Sequence, residues 1–397
     1  MRAARVGAGS AAILRGMSLP SSSVDRDRIA ALRLTAQRLG TTHSASPADA
    51  VRWMLAVQAQ ELPGAKWSLG LRTNGGTEVA VDAALDAGEV VRSWPLRGTL
   101  HLVAAEDIVW LLSLTGSRQI GGATARRSAL GITDSDIGRA EEAVRDALAG
   151  RRVLPRDQLL ARIRAGGVAT DGQRGYHLIW HLAHAGTLVM GAADGRGQAF
   201  ALLEDWVTIP PALDRDEALG ELALRYLRSH GPASDADLAR WAGIPLGEAR
   251  RGRAICGAAL ATLELGGTTY HLDPEALDRE TVVDPPRVTR ALLLPGFDEY
   301  LLGYRDRSAV LAPEHADRIA PGGNGLFRPT IVVDGQVVGT WRRTAHAAEI
   351  RVIPELFGLP DAELLAGLSD AAKAYGSFLG QDARLATTEP AGLGSSR

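Results

Sequence analysis

Lysine is almost missing from this chain. Lys66 and Lys373 are the only two among 44 basic residues, so arginine carries nearly all of the positive charge. The codons of a GC-rich genome account for most of that bias, but the planar guanidinium also suits phosphates and base edges. Cysteine is scarcer still: Cys256 stands alone, which excludes an internal disulfide and a zinc site built on cysteines. No apolar stretch approaches the roughly 18–20 residues of a membrane-spanning helix; Ile108–Leu114 is among the longest. Val6–Leu14 is weakly apolar, Gly-rich and followed by no A-x-A cleavage site, so no signal peptide is expected, and Met17 is an alternative start. Nor does one sign of charge prevail. The net charge is -2, so any face for nucleic acid must concentrate its arginines and offset them elsewhere. These absences point to a cytoplasmic protein that does not enter a membrane.

What is present is core material. The 397 residues are 46% hydrophobic and 23% charged, enough for two to four folding units at roughly 100–200 residues each. One supersecondary pattern recurs. Asp134–Gly150 carries Ile137, Ala140, Val144 and Leu148 at helical spacing behind a cap at Thr133 or Ser135. A break at Leu154-Pro155 precedes a short helix, Asp157–Ala165, then a third, Gly175–Ala185. Thr187–Met190, a turn at Gly191–Gly197 and Gln198–Leu203 complete a hairpin. The order appears again about 80 residues on: Asp214–Ser229, a break at Gly231-Pro232, Asp235–Ala242 capped by Ser234, Leu246–Leu260, and strands Leu263–Leu265 and Thr268–Leu272 flanking Gly266-Gly267.

A looser version opens the chain. Asp25–Leu39, Ser46–Leu55 and Val79–Ala87 suit helices, whereas Val57–Leu62, Ser68–Leu71 and Val90–Val103 suit strands. Helix, helix, helix and hairpin is the winged-helix plan. The expected fold is therefore α+β: three tandem winged helix-turn-helix units over 25–130, 131–210 and 211–289. A small β-rich subdomain with a final helix, Pro360–Leu379, fills 290–380. Its strands are Leu292–Leu294, Ile331–Val333 and Val337–Trp341, the last two joined by Asp334-Gly335. Residues 1–24 and 381–397 are expected to be disordered ends.

A winged helix puts its third helix in the major groove. In the middle unit that helix and its approach carry Arg174, Tyr176, His177, Trp180, His181 and His184; in the third unit it carries Arg250, Arg251 and Arg253. Arg174, His177, His181, Arg250 and Arg251 are accordingly candidate DNA contacts, giving salt-dependent binding. His177, His181 and His184 are spaced by four and three, so they share a helix face and could hold a metal. They lack the neighbouring Glu of H-E-x-x-H and any nearby cysteine, so neither a metal nor another cofactor is expected.

The segment with catalytic promise is Val57-Gln58-Ala59-Gln60. On a strand, Gln58 and Gln60 project to one face, about 6–7 Å apart, able to hold one water or one sugar oxygen between two amides. Alone, Q-x-Q is a weak signal, most often a surface strand. Three segments taken together are specific: Gln58–Gln60 followed by Glu61-Leu62 and Lys66–Arg72; Arg92-Ser93-Trp94-Pro95-Leu96-Arg97-Gly98-Thr99-Leu100-His101-Leu102-Val103; and Leu294-Pro295-Gly296-Phe297-Asp298-Glu299-Tyr300-Leu301-Leu302-Gly303-Tyr304-Arg305-Asp306-Arg307. In this order they resemble the AlkZ/YcaQ-like family of winged-helix DNA glycosylases, over roughly 28–375. The Q-A-Q form resembles the AlkZ branch, associated with antibiotic self-resistance, rather than the YcaQ branch, whose second polar residue is an aspartate.

The resemblance implies hydrolysis of the N-glycosidic bond of bulky N7-alkylated guanines, interstrand crosslinks included, with Gln58 and Gln60 as the catalytic pair. Its partner is then double-stranded DNA carrying an alkylated guanine, wrapped by a monomer. Alkylation at N7 makes the base cationic and a good leaving group, so neutral amides that orient a water suffice. No lysine lies within the motif, so a monofunctional reaction is expected; Lys66 is the nearest candidate for a lyase. Lys66, Arg72, Arg97 and His101 are candidate DNA contacts, the last two near the lesion and sharing a face if Leu96–Val103 is a strand. Asp298 and Arg305 are expected to form an ion pair that ties the β-rich piece down, with Phe297, Tyr300 and Tyr304 in the core. The competing reading is a non-enzymatic winged-helix transcriptional regulator, for which the glutamines have no use.

Overall fold

The computed structural model describes residues 23–191, 199–277, 291–323, 325–346 and 349–386. The expectations for 1–22, for the turn at 192–197 and for 387–397 lie outside the described residues. The chain is mixed α/β, and three helices followed by a hairpin occur three times, the first two times with a short strand after the first helix. After α1 (Ser23–Ala36) come α2 (Pro47–Met54), β1 (Ala56–Gln58), α3 (Leu62–Arg72), α4 (Glu78–Asp86), β2 (Val90–Leu96) and β3 (Thr99–Ala104). Past α5 (Ile108–Gly122) and α6 (Thr124–Ala129) follow α7 (Asp134–Leu148), β4 (Leu154–Pro155), α8 (Arg156–Ala165), α9 (Arg174–His184), β5 (Leu188–Met190) and β6 (Ala199–Leu202). Beyond α10 (Leu203–Trp206) are α11 (Arg215–His230), α12 (Asp235–Ala242), α13 (Leu246–Cys256), β7 (Ala261–Leu265) and β8 (Thr268–Leu272).

Caps explain where the helices begin. The Ser46 hydroxyl accepts the Asp49 N–H ahead of Pro47, and Thr133/Asp136, Asp214/Glu217 and Ser234/Asp237 form capping boxes at α7, α11 and α12. The first two hairpins merge into one six-stranded sheet, β1-β3-β2-β5-β6-β4, joined where Arg92 of β2 pairs with Met190 of β5. The third hairpin, β7-β8, stands apart and is bridged only to Ala233. The C-terminal piece is a five-stranded sheet, β13-β12-β11-β10-β9, of β9 (Leu292–Leu294), β10 (Thr330–Val333), β11 (Gln336–His346), β12 (Glu349–Leu356) and β13 (Ala383–Leu385), with the helix Ala362–Leu379 against it.

Three expectations are corrected. Ser68–Leu71 is helical, not a strand. The buried stripe of α3 is Ala65, Ser68, Leu69 and Arg72, and two of those four are polar residues that conceal a helical period. Of the expected strand 57–62 only Val57 and Gln58 lie in β1, because α3 begins at Leu62. The tail after Gln381 is ordered at first: Ala383–Leu385 adds a parallel strand to β12, with Ile350 N–H bonded to Asp382 O at 2.9 Å and Ala386 N–H to Val352 O at 2.7 Å. Satisfying these edge groups outweighs the weak apolar content of the segment.

The C-terminal piece is wedged against the start of the chain. Trp67 of α3 meets Tyr375 edge-on at 5.0 Å and donates its Nε1–H to Leu293 O at 2.6 Å. The segment after β9 then runs past β1 and α12 and ends in the buried Tyr300 and Tyr304. It carries Asp298, but not in the expected pair. Asp298 caps the short helix Glu299–Leu302 and takes both guanidinium arms of Arg72, whereas the backbone N–H of Arg305 bonds to Asp237 Oδ1 at 2.7 Å.

Candidate active site

Register across the first sheet sets the site. Gln58 on β1 pairs with His101 on β3, and His101 with Ser93 on β2, so the three side chains lie in a row on one face. β1 ends at Gln58, which is 8% exposed, while Ala59 is buried and Gln60 exposed. The ladder nevertheless continues past the strand. Ala59 N–H donates to Leu100 O at 2.7 Å, and Leu100 N–H donates to the side-chain Oε1 of Gln60 at 2.8 Å. Gln60 thus substitutes an amide carbonyl for the backbone carbonyl of a further ladder step. Arg92, buried on β2, clasps the same stretch, Nε donating to Ala59 O at 2.9 Å and Nη2 to Gln60 O at 3.3 Å. Without a carboxylate partner, burial brings its pKa down to about 10.

The β2–β3 turn supplies the other anchor. Leu96 pairs with Thr99 across Arg97-Gly98, and both turn residues have positive φ, 53° and 67°. A two-residue hairpin of this kind favours Asn or Gly at the first position, and Arg97 occupies it at a cost. Its guanidinium donates from Nη2 to Gln58 Oε1 at 2.8 Å and contacts His101 Nε2 at 3.3 Å, while Nη1 donates to Trp241 O. That carbonyl belongs to the last turn of α12, where unpaired carbonyls and the helix dipole favour a cation.

His101 is completely buried and bonds through Nδ1 to Thr99 O at 2.8 Å. Only a protonated Nδ1 can donate there, so Nε2 is left as the acceptor for Arg97. Burial and the Arg97 charge push its pKa down to about 3. Behind the row sits Glu299, also fully buried: Oε1 accepts Gln58 N–H at 2.8 Å and Oε2 accepts Trp241 Nε1–H at 2.8 Å. Burial alone would raise its pKa, but the neighbouring His230 ring and the Arg97 cation bring it to about 2. His230 Nε2 lies 3.7 Å from Glu299 Oε2, and burial keeps that imidazole on the neutral side. The lasting counter-charge of Glu299 is therefore Arg97.

The structure places each of the sequence-predicted contacts. Arg97 and His101 face inward on Gln58 rather than outward on a DNA backbone. Arg72 is 0% exposed at its side chain and bound to Asp298. Lys66 is held between Glu78 at 3.3 Å and Asp82 at 2.6 Å, its side chain 12% exposed. Arg174 ties loops together through Leu130 O and Ala169 O. His177 and His184 are buried on either side of Trp180, with ring centroids 5.4 and 4.1 Å from it; His181 is half-buried. No set of three residues able to hold a metal ion occurs among the described residues. Arg250 and Arg251 are exposed on α13, Arg251 bridging to Asp216 at 2.5 Å. Sequence reasoning missed Arg92, Glu299, Trp241 and His230 as parts of the site. The available signal was a charge set in an apolar run, as in Val90-Val91-Arg92 and Glu299-Tyr300-Leu301-Leu302.

Two buried imidazoles make stability pH-dependent. Burial keeps His184 neutral down to about 4, as it keeps His101 neutral down to about 3, whereas the unfolded chain takes up both protons near 6.5. The unfolded state therefore holds more protons below pH 6.5, and stability falls on acidification by up to about 1.4 kcal/mol per pH unit for each histidine. Denaturant unfolding at pH 7.5 and 5.0 checks this: a large drop is expected, reduced by one proton's slope in His184→Gln. Equal stability at the two pH values would count against both buried neutral rings.

The anchored amides and the buried charges around them lie on a fold of repeated helix-and-hairpin elements, and comparison with known proteins places that fold among the DNA glycosylases. The chain belongs to the AlkZ-like family of these enzymes: the model described as DNA glycosylase AlkZ-like matches residues 51–378. It is 27% identical over 347 residues to an interstrand DNA cross-link repair glycosylase of Streptomyces sahachiroi, covering 84% of this chain and 92% of that protein. The solved structure of the Streptomyces sahachiroi DNA glycosylase AlkZ superposes with a TM-score of 0.74 at 26% identity, covering 92% of this chain and all of that one. The chain is thus an enzyme whose substrate is DNA. None of the helices among the described residues is long and apolar enough to cross a membrane.

Proposed function

We propose that this enzyme excises N7-alkylated guanine from duplex DNA by hydrolysis, bulky adducts and interstrand crosslinks included, with Gln58 and Gln60 as the catalytic pair. The carrying observation is that both amides are held against one hairpin, Gln58 by Arg97 and Gln60 by Leu100 N–H, and that both are neutral. Such a site has little power to activate a stable base. It suits one that already carries positive charge, where the C1′–N9 bond breaks with both electrons returning to the base. Water then adds at C1′ and sheds its proton to solvent. Both lysines are engaged in ion pairs, Lys66 with Asp82 and Lys373 with Asp370, so neither is poised to form a Schiff base. The printed name of the Streptomyces sahachiroi relative, a cross-link repair glycosylase, supports the crosslink.

The order of three helices and a hairpin, present three times, supports three tandem winged-helix units over 25–130, 131–210 and 211–289 that grip the duplex as a cytoplasmic monomer, with the β-rich piece over 290–380. Arg250 and Arg251, exposed on α13, are the phosphate contacts in this reading. Self-resistance to a genotoxin follows if the host makes one. The test is excision from duplexes with one small or one bulky N7-alkylguanine, followed by alkali to reveal abasic sites. Gln58→Ala and Gln60→Ala are each expected to lower the single-turnover rate on the order of 10²–10³-fold with DNA affinity unchanged. Tight binding by wild type without excision across a panel of adducts sinks the proposal.

A further inference from the structure

Resting on that reading, we infer that Arg97 is a positioning residue that makes Gln58 a hydrogen-bond donor, its NH2 group presented to the departing base rather than its carbonyl to the attacking water. The orientation of the amide follows from chemistry. A guanidinium has five donors and no acceptor, so the Gln58 atom 2.8 Å from Arg97 Nη2 is the oxygen. The nitrogen is then turned away; it has no hydrogen-bond partner among the described residues and is not one of the sealed, unpaired polar atoms. His101 blocks the alternative. Its Nδ1 is committed to Thr99 O, so Nε2 accepts from Arg97 and fixes the guanidinium plane.

The placement of Arg97 shows that this orientation is enforced. The residue sits at positive φ, and Gly243 at the end of α12 lies so close that a Cβ there would come within 3.3 Å of the Arg97 backbone. A second element thus clamps a strained turn, and Glu299 balances the cation while holding the Gln58 backbone. Chemically, a donor is the useful half of the amide. As C1′–N9 breaks, the electron pair flows into the purine and its ring nitrogen and carbonyl oxygen become better acceptors, so a donor aimed at them bonds more strongly in the transition state than before it. The guanidinium on the carbonyl side polarises the amide and strengthens its N–H groups.

Gln58→Glu separates the two roles, because it keeps the acceptor and removes the donors. With full-length protein on N7-methylguanine duplex, its single-turnover rate is expected to fall as far as that of Gln58→Ala, on the order of 10²–10³-fold. Arg97→Met, which frees the amide to flip, is expected to lose on the order of 10–100-fold in rate at saturating enzyme, with Arg97→Lys recovering part of it. DNA affinity and its salt dependence stay at wild-type values in all four. A Gln58→Glu enzyme within tenfold of wild type overturns the inference and makes Gln58 a water acceptor. Where Gln58→Glu does not fold, Arg97→Met excising at the wild-type rate, or impaired only through weaker DNA binding, overturns it instead. Wild type that excises no adduct removes the glycosylase reading itself, a different outcome from an active Gln58→Glu.

Discussion

Asp298→Ala is expected to lower the unfolding free energy by roughly 3–5 kcal/mol, the usual cost of leaving one member of a buried ion pair alone. The pair is dry: the side chain of Arg72 is 0% exposed and that of Asp298 2%. Both carboxylate oxygens are used twice. Oδ1 accepts Arg72 Nη2 at 2.8 Å and Tyr300 N–H at 2.9 Å; Oδ2 accepts Arg72 Nη1 at 2.9 Å and the Ser68 hydroxyl at 2.7 Å. Alanine would strand a desolvated guanidinium beside Gln37 and Ser68, with its Nε already unpaired. The pair joins α3 to the C-terminal piece, so the loss should appear in denaturant unfolding of the whole chain. Arg72→Met with Asp298→Leu is expected to regain most of it, because removing both charges leaves none uncompensated. An Asp298→Ala protein within 1 kcal/mol of wild type would show the pair to be incidental.

The second large effect belongs to Glu299. Glu299→Ala removes the acceptor for Gln58 N–H and for Trp241 Nε1–H and the balancing charge for Arg97, and roughly 3–5 kcal/mol is again expected. Glu299→Gln separates hydrogen bonding from charge. It retains a carbonyl oxygen for one donor, so it should unfold later than Glu299→Ala while excision still falls, because Arg97 and the Gln58 backbone shift together. The acid side gives an independent check. With a folded pKa of about 2 against 4.5 in the free carboxyl, the stability supplied by ionised Glu299 is complete above pH 4.5 and fades toward pH 2. A Glu299→Gln protein lacks that component of the acid response; an identical acid response in the two proteins would show that the carboxylate carries no such energy.

Much of the architecture was legible in the chain itself. Ser234 capping Asp235–Ala242, Thr133 ahead of α7 and Gly266-Gly267 between β7 and β8 are local chemistry, decided within a few residues, and the three motif segments marked the glutamines. The errors lay where a neighbour overrode the local pattern. Ser68 and Arg72 look like the wet side of α3 and are its buried side, because Asp298, more than two hundred residues away, satisfies them. Arg97 and His101 look like groups for a DNA backbone and are spent on Gln58.

The sequence by itself therefore determined most of the helices and the hairpins, which depend on propensity, capping and spacing along the chain, and it carried the three motifs whose resemblance implied the family. Tertiary structure alone decided which charges face water. A buried arginine and an exposed one are spelled alike, and only packing brings Glu299 behind Gln58, α12 against the β2–β3 turn and Asp298 onto Arg72. The cost of burying an unpaired charge then dictates that these distant residues belong together.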